Sequence, residues 1–226
     1  CGGYHADDTH IQGFSHLHLH GIGVPAHGLL AMMPVDGWSA QMKTEEGYRA
    51  AMDKSTEAAQ AGRYSVVLTE PDVAVDLTTT SHTGLHRYRY GDTVSAPAVV
   101  IDLAHTLSGG QVEDTHIQIA ADGAVSGWAR ADGDLGGPLT YWFAARFDPA
   151  PTDWRAWDTG SWLGFETSEV HARVSVSLVD AEGAKANLLA EHTGFDLEST
   201  ALEAQQRWRE WLAPFQVWGG SEDDRT

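Results

Sequence analysis

EVHARVSVSLV, residues 169–179, alternates without a break. Val170, Ala172, Val174, Val176 and Leu178 fall on one face, and His171, Arg173, Ser175 and Ser177 on the other, the period of two that a pleated strand imposes. One apolar and one polar face predict a half-buried strand of an antiparallel sheet. Working outward, YSVVLTE (64–70), VAVDLTTT (73–80) and AVVIDLA (98–104) are β-branched runs bounded by Pro, Gly or Asp. LTYWFAARF (139–147) is a further strand with aromatic weight. Residues 115–121 and 124–130 flank Asp122-Gly123, a dipeptide suited to the positive φ values of a type I′ hairpin. About eight short strands with turn signals between them predict a β-sandwich or barrel.

Helical patterning comes late. Residues 181–192 (AEGAKANLLAEH) follow a candidate Asp180 N-cap. Over 197–212, Leu197, Ala201, Ala204, Trp208, Trp211 and Leu212 form one stripe, and Pro214 limits its continuation. Residues 45–61 are rich in Ala and Glu and read as helix on propensity alone. There is no internal repeat and no low-complexity linker. The organisation is one β domain over 1–180 leading into a helical segment over 181–226.

The 226 residues are 42% hydrophobic, enough to bury a core, and contain no run approaching the roughly 18 apolar residues of a membrane helix. Asp and Glu number 32 against 14 Lys and Arg, a net charge of -18 that repels phosphate backbones and argues against nucleic-acid binding. Cys1 is the single cysteine, so no intramolecular disulfide forms. It reads as the point where a longer chain is cut, the other reading being a lipid-anchored mature N-terminus.

The densest chemistry is Gly13-Phe14-Ser15-His16-Leu17-His18-Leu19-His20-Gly21. On a strand His16, His18 and His20 share a face, with Leu17 and Leu19 toward the core. Three readings stand: a metal site, a polar pocket of hydrogen-bonding imidazoles, or a solvated surface. A metal-dependent amidohydrolase built on His16 and His18 would need repeating strand–helix units, which the β-rich middle contradicts.

Several stretches resemble glycoside hydrolase family 92, the α-mannosidases. THIQGFSHLHLHGIG (9–23) is similar to the family's GFSHTHLSGTG motif, and DKSTEAAQAGRYSVVL (53–68) to its E-x-A-x-x-G-Y-Y-x-V-x-L stretch. VDLTTTSHTGLHRYRY (75–90) is similar to ELTAT-x-R-x-G-x-H-R-Y-x-F, and AVVIDLAHTL (98–107) to the strand after it. Residues 174–212 resemble the end of the family's N-terminal domain, where a strand gives way to an A-x-x-N-L helix and a helix ending W-x-x-x-L. Order and rough spacing agree over nearly the whole chain. Two departures stand out. Val24-Pro25-Ala26-His27-Gly28 lacks the family's cysteine and acidic residues, and His20 replaces a small polar residue.

The resemblance implies an antiparallel, supersandwich-like β-sandwich whose two C-terminal helices lead toward an (α/α)6 barrel. It implies a calcium-dependent, inverting exo-α-mannosidase with its active site between the two parts. Inversion needs a general acid and a general base about 6.5–9.5 Å apart. In the family these carboxylates and the calcium ligands belong to the barrel, so no catalytic or metal-binding residue is expected in this chain, and the chain alone is expected to be inactive. It would supply part of the pocket wall, with His16, His18, His20 and Gly21 toward mannose hydroxyls. For residues 45–61 the resemblance favours an irregular connection over a helix. Arg87 reads either as a donor fork in the pocket or, the more frequent use, as a structural ion pair. Trp38 reads equally as a sugar-stacking or a packing residue, while Trp154, Trp157 and Trp162 read as sealing the barrel interface. Partners are mannose-containing glycans and the C-terminal catalytic barrel, in a secreted or periplasmic setting. The alternative is a non-catalytic carbohydrate-binding sandwich.

Overall fold

The computed structural model describes residues 3–18, 27–107, 110–132, 138–191, 194–216 and 218–221. The first strands are β1 (His10–Ile11), β2 (Phe14–His18) and β3 (His27–Asp36). A 3-10 turn at Ala40–Lys43 and the single-turn α1 (Glu45–Tyr48) lead into β4 (Ala50–Gln60), β5 (Arg63–Glu70), β6 (Asp72–Thr79), β7 (Thr83–Tyr90) and β8 (Pro97–Asp102). Next come β9 (Gln111–Ile119), β10 (Val125–Asp132), β11 (Leu139–Asp148), β12 (Asp153–Trp157), β13 (Gly160–Gly164) and β14 (Glu169–Ser177). Helices α2 (Ala181–Glu191) and α3 (Leu197–Leu212) complete the described elements.

The strands form two sheets. One has nine strands in the order β1-β4-β5-β6-β7-β14-β11-β10-β9, the other five in the order β12-β13-β8-β3-β2. Each neighbouring pair runs antiparallel. The inward residues of both sheets merge into one core cluster, with Val75, Tyr88, Tyr141, Phe143 and Val174 from the larger sheet and Met32, Val100, Ile101 and Leu163 from the smaller. The expected mostly-β antiparallel sandwich is therefore what the chain forms. The strand–helix barrel of an amidohydrolase is not.

Four local expectations change. Strand β14 is covered on both faces: Arg173, Ser175 and Ser177 are buried as well as Val170, Ala172 and Val174. The polar side is roofed by α2, where Ser175 Oγ donates to the Ala184 carbonyl at 2.6 Å and Ala184 and Leu188 pack on Ala144 and Trp142. The helix covers a face that alternation alone assigns to water. Leu178, assigned to the apolar face, lies beyond the strand and is 56% exposed.

Residues 45–61 are neither helix nor irregular connection. They hold the short α1 and then eleven residues of β4, paired to β1 on one side and β5 on the other. Ladder hydrogen bonds on two sides outweigh the helix propensity of Ala and Glu, which is a weak prior.

The β9–β10 connection is five residues, 120–124, rather than a two-residue type I′ turn, and Ala120 N–H donates to Ala124 O across it at 2.8 Å. Gly123 N–H donates to Ala120 O at 2.9 Å, and within the loop only Gly123 has positive φ, at 77°.

The histidine face of β2, and not only Leu17, looks inward. Phe14 is 8% exposed and meets Tyr64, and His16 meets His86 of the opposite sheet.

The two helices begin as their caps dictate. Gly183 N–H donates to Asp180 Oδ1 at 2.6 Å and Ser199 N–H to Asp196 Oδ1 at 3.0 Å. The first half of α3 buries Leu197, Thr200 and Ala201 against β5, β6 and β7. Its second half leaves Trp208, Trp211 and Leu212 exposed.

Candidate functional site

A cavity of about 810 Å³ opens between edge strand β2 and the larger sheet. Phe14, His16 and His18 of β2 line one side, with His105 and Leu107 after β8. Tyr64, Leu77, Gly84, His86, Val174 and Val176 line the other, and Thr79, Thr80, Ser81 and His82 of the β6–β7 turn stand at the rim. Imidazoles and hydroxyls over an apolar floor suit a neutral polyhydroxylated ligand better than an anion.

The local backbone explains the placement of His16. β3 enters beside β2 with three left-handed residues in four positions: His27 (φ 60°), Gly28 (φ 68°) and Leu30 (φ 57°). Leucine rarely adopts such a φ, and Leu30 is fully buried. Its carbonyl accepts from His16 Nδ1 at 2.7 Å. Gly28 leaves room for Leu107, whose Cγ would lie 2.4 Å from an added Cβ, and its carbonyl accepts from His105 Nδ1 at 2.6 Å. His16 Nε2 lies 2.9 Å from His86 Nε2, and His86 Nδ1 is 2.6 Å from the Tyr88 hydroxyl. Burial lowers His16 to about 4 against the raising effect of the Leu30 bond, with His18 lowering it further. Burial likewise holds His86 well below the ordinary histidine value, with His16 adding to it, and pushes Tyr88 well up. Both rings are therefore neutral at pH 7. His18 Nε2 makes a short hydrogen bond with Ser15 Oγ.

One carboxylate on the wall is fully engaged. Glu57 accepts from Tyr64 at 2.8 Å and from Tyr4 at 3.1 Å, and pairs with Lys54 at 2.7 Å. Burial would raise its pKa, but the bonds from Lys54, Tyr64 and Tyr4 outweigh it and hold the group below the usual range. Glu57 is an acceptor held ionised, not a proton donor.

The other sequence candidates lie elsewhere. Arg87 is on the outer face of the larger sheet, where its Nη2 donates to Asp76 Oδ2 at 2.9 Å and Glu198 Oε1 at 3.0 Å beneath α3. Arg63 and Arg89 converge on the same Asp76. Trp38 is half-buried at the far edge of the smaller sheet, 5.8 Å from the Trp157 ring and 6.0 Å from the Trp162 ring, under the Arg155 guanidinium. His16 and His18 thus share the cavity while Arg87 and Trp38 do not, and His20 and Gly21 lie outside the described residues. His86, Tyr88, Gly84 and Glu57 were not singled out from sequence. The signal for the first three was available, because positions 84, 86 and 88 of GLHRYRY share a strand face opposite to Arg87.

Among the described residues no group of three or more His, Cys, Asp or Glu could hold a metal ion. Calcium takes six to eight oxygens, and an imidazole-lined wall whose carboxylates are the lysine-paired Glu57 and the exposed Asp8 at the rim does not fit it.

The N-terminal domain of glycosyl hydrolase family 92 matches residues 1–187. No curated protein matches the chain. The fold is that of the family GH92 α-mannosidase BT3965 from Bacteroides thetaiotaomicron in complex with mannoimidazole, with TM-score 0.86 and 23% identity over 97% of this chain and 32% of that one. The GH92 glycosyl hydrolase ccman5 gives TM-score 0.86 and 22% identity, over 99% of this chain and 33% of that one. The GH92 inverting mannosidase BT2199 from B. thetaiotaomicron VPI-5482 gives 0.72 and 20%, over 85% and 27%. The chain thus spans between about a quarter and a third of the length of these solved structures. With the family's N-terminal domain matched over 1–187, the chain belongs to glycoside hydrolase family 92.

Proposed function

We propose that this chain is the sandwich part of a longer, exported exo-α-mannosidase and forms one wall of its sugar pocket. The observation that carries this is the family match over residues 1–187, with solved relatives about three times as long that are described as α-mannosidases. The cavity beside His16 and His18 supports it, since imidazole and hydroxyl groups suit sugar hydroxyls. On this reading, the acid and base of an inverting reaction and any calcium ligands come from the remaining part of the protein. Glu57, ionised and paired with Lys54, cannot protonate a leaving oxygen. Residues 181–226 connect to that part, although α2 and α3 also roof the larger sheet. The apolar end of α3 and the residues after it, with Trp211, Phe215 and Trp218 78%, 78% and 82% exposed, supply the face that packs against it. Among the described residues no helix is long and apolar enough to cross a membrane.

The test is mannose release from an α-1,2-linked mannobiose by the full-length protein, with and without a calcium chelator, beside this chain. Release by the full-length protein, lost with chelator, and an inert isolated chain are expected. Turnover by the isolated chain would overturn the division of labour. No release by the full-length protein from any α-mannoside would favour a glycan-binding sandwich instead.

A further inference from the structure

His16 and His86 come from strands in different sheets, β2 and β7, and meet head to head. Their Nε2 atoms are 2.9 Å apart, the ring centroids 4.9 Å, and the ring planes lie within 24° of each other. Such a contact holds only if one nitrogen carries a hydrogen and the other does not. The outer partners decide which. Leu30 offers a carbonyl oxygen, which only accepts, so His16 Nδ1 carries the proton and its Nε2 is the acceptor. His86 must then donate from Nε2, which leaves its Nδ1 bare, and the Tyr88 hydroxyl donates to it. The direction is consistent from end to end: Tyr88 O–H to His86, His86 N–H to His16, His16 N–H to the Leu30 carbonyl.

The surroundings leave this arrangement little freedom. A Cβ on Gly84 would lie 3.1 Å from His16 Cδ2 and 3.6 Å from His86 Nε2, so only glycine admits both rings without a shift. Tyr88 is fully buried and His86 is 5% exposed. Among the described residues, the hydrogen-bond partners of the two rings are the Leu30 carbonyl, each other and the Tyr88 hydroxyl, with no carboxylate. The ionisable groups around the pair are His18 on β2, His105 after β8 with Glu45 3.8 Å from its Nε2, Tyr64 on β5 with Glu57 on β4, and Tyr88 on β7. Asp8, His10, Arg49 and His82 are exposed on the rim, while β6 and β14 contribute Leu77, Val174 and Val176.

We infer that Tyr88 and His86 are positioning residues that hold His16 in one tautomer, and that the chain they form is an acid-sensitive latch between the two sheets at the cavity wall. One added proton places a charge between the sheets among neutral partners, and a second sets N–H against N–H. Burial opposes both protonations, in the direction already given for the two rings. The inference stands on these contacts alone, whatever the cavity binds.

The test uses this chain, ¹⁵N-labelled, with long-range ¹H–¹⁵N spectra of the imidazoles from pH 7.5 down to 5. His16 is expected as the Nδ1–H tautomer and His86 as the Nε2–H tautomer, neither titrating in that range. The opposite tautomers, or either ring titrating near 6.5, would overturn the latch. So would zinc added at one equivalent if it moved both Nε2 signals together, since the pair would then be a metal site. A second reading uses His86→Gln, which keeps an N–H aimed at His16 but takes no proton. Between pH 6 and 4.5 its folding equilibrium constant should fall about tenfold less per pH unit than that of the parent chain. Equal slopes would sink the proposal.

Discussion

Gly62 lies directly beneath Ala204: a Cβ built on the glycine would stand 2.8 Å from the alanine's Cβ and 3.0 Å from the Gln205 nitrogen. The β4–β5 turn and the middle of α3 are therefore in backbone contact, and Gly62 has φ 82°. Gly62→Ala should destabilise the chain by about 2–4 kcal/mol, from the left-handed conformation and from displacing the helix. An unchanged urea midpoint would show that α3 does not rest there.

Asp76 is 3% exposed and takes bonds from Arg63, Arg87 and Arg89, while Glu198 of α3 shares the first two arginines. Burial would raise its pKa, but the arginines outweigh that and hold it below the ordinary aspartate value. A depressed folded pKa gives stability that is present above the unfolded value and lost as pH falls below it. Asp76→Asn should cost about 3 kcal/mol at pH 7 and flatten the acid-unfolding curve below about pH 4. Arg87→Met should lower the melting temperature yet leave sugar binding by the folded full-length protein unchanged, because Arg87 does not line the cavity. A selective loss of binding would return Arg87 to the pocket.

What the sequence shows of this fold depends on whether a neighbour is local. β14 is legible because its alternation is uninterrupted, and the ends of α2 and α3 because Asp180 and Asp196 are capping residues a few positions away. β4 is not, since its strand character comes from β1 and β5 pairing to it, which no propensity records. The same limit acts at the site. The histidine cluster on β2 is visible as His16 and His18, but its partner stands 70 residues on, beside an arginine that attracts more notice. Trp38 belongs to an aromatic cluster drawn from β12 and β13, so its neighbours emerge only from the smaller sheet's strand order.

Gly84→Ala puts a methyl 3.1 Å from His16 Cδ2 and 3.4 Å from its Nε2. The ring must give by a few tenths of an ångström, and the 2.9 Å bond to His86 lengthens with it. A loss of about 1–2 kcal/mol is expected by thermal unfolding, from overpacking and a weakened buried hydrogen bond. A neutral result would mean that the histidine pair has slack the distances do not show.

The end of α3 is apolar without cover in this chain. Trp208, Trp211, Leu212, Phe215 and Trp218 are each more than half exposed, whereas the contacts of the helix with the larger sheet end near Gln205. Five exposed large apolar side chains within eleven residues mark a contact face, or in isolation a cause of association. The chain alone should therefore bind a hydrophobic dye and self-associate. Trp211→Glu with Phe215→Glu should abolish both while leaving the unfolding midpoint within about 0.5 kcal/mol, since neither side chain contributes to the core. In the full-length protein the same pair should lower stability instead, because there the face would be covered. If the substitutions leave the full-length protein untouched while still suppressing association of the isolated chain, the stripe faces solvent in both, and α3 serves only to clamp the larger sheet through Leu197, Ala201 and Glu198.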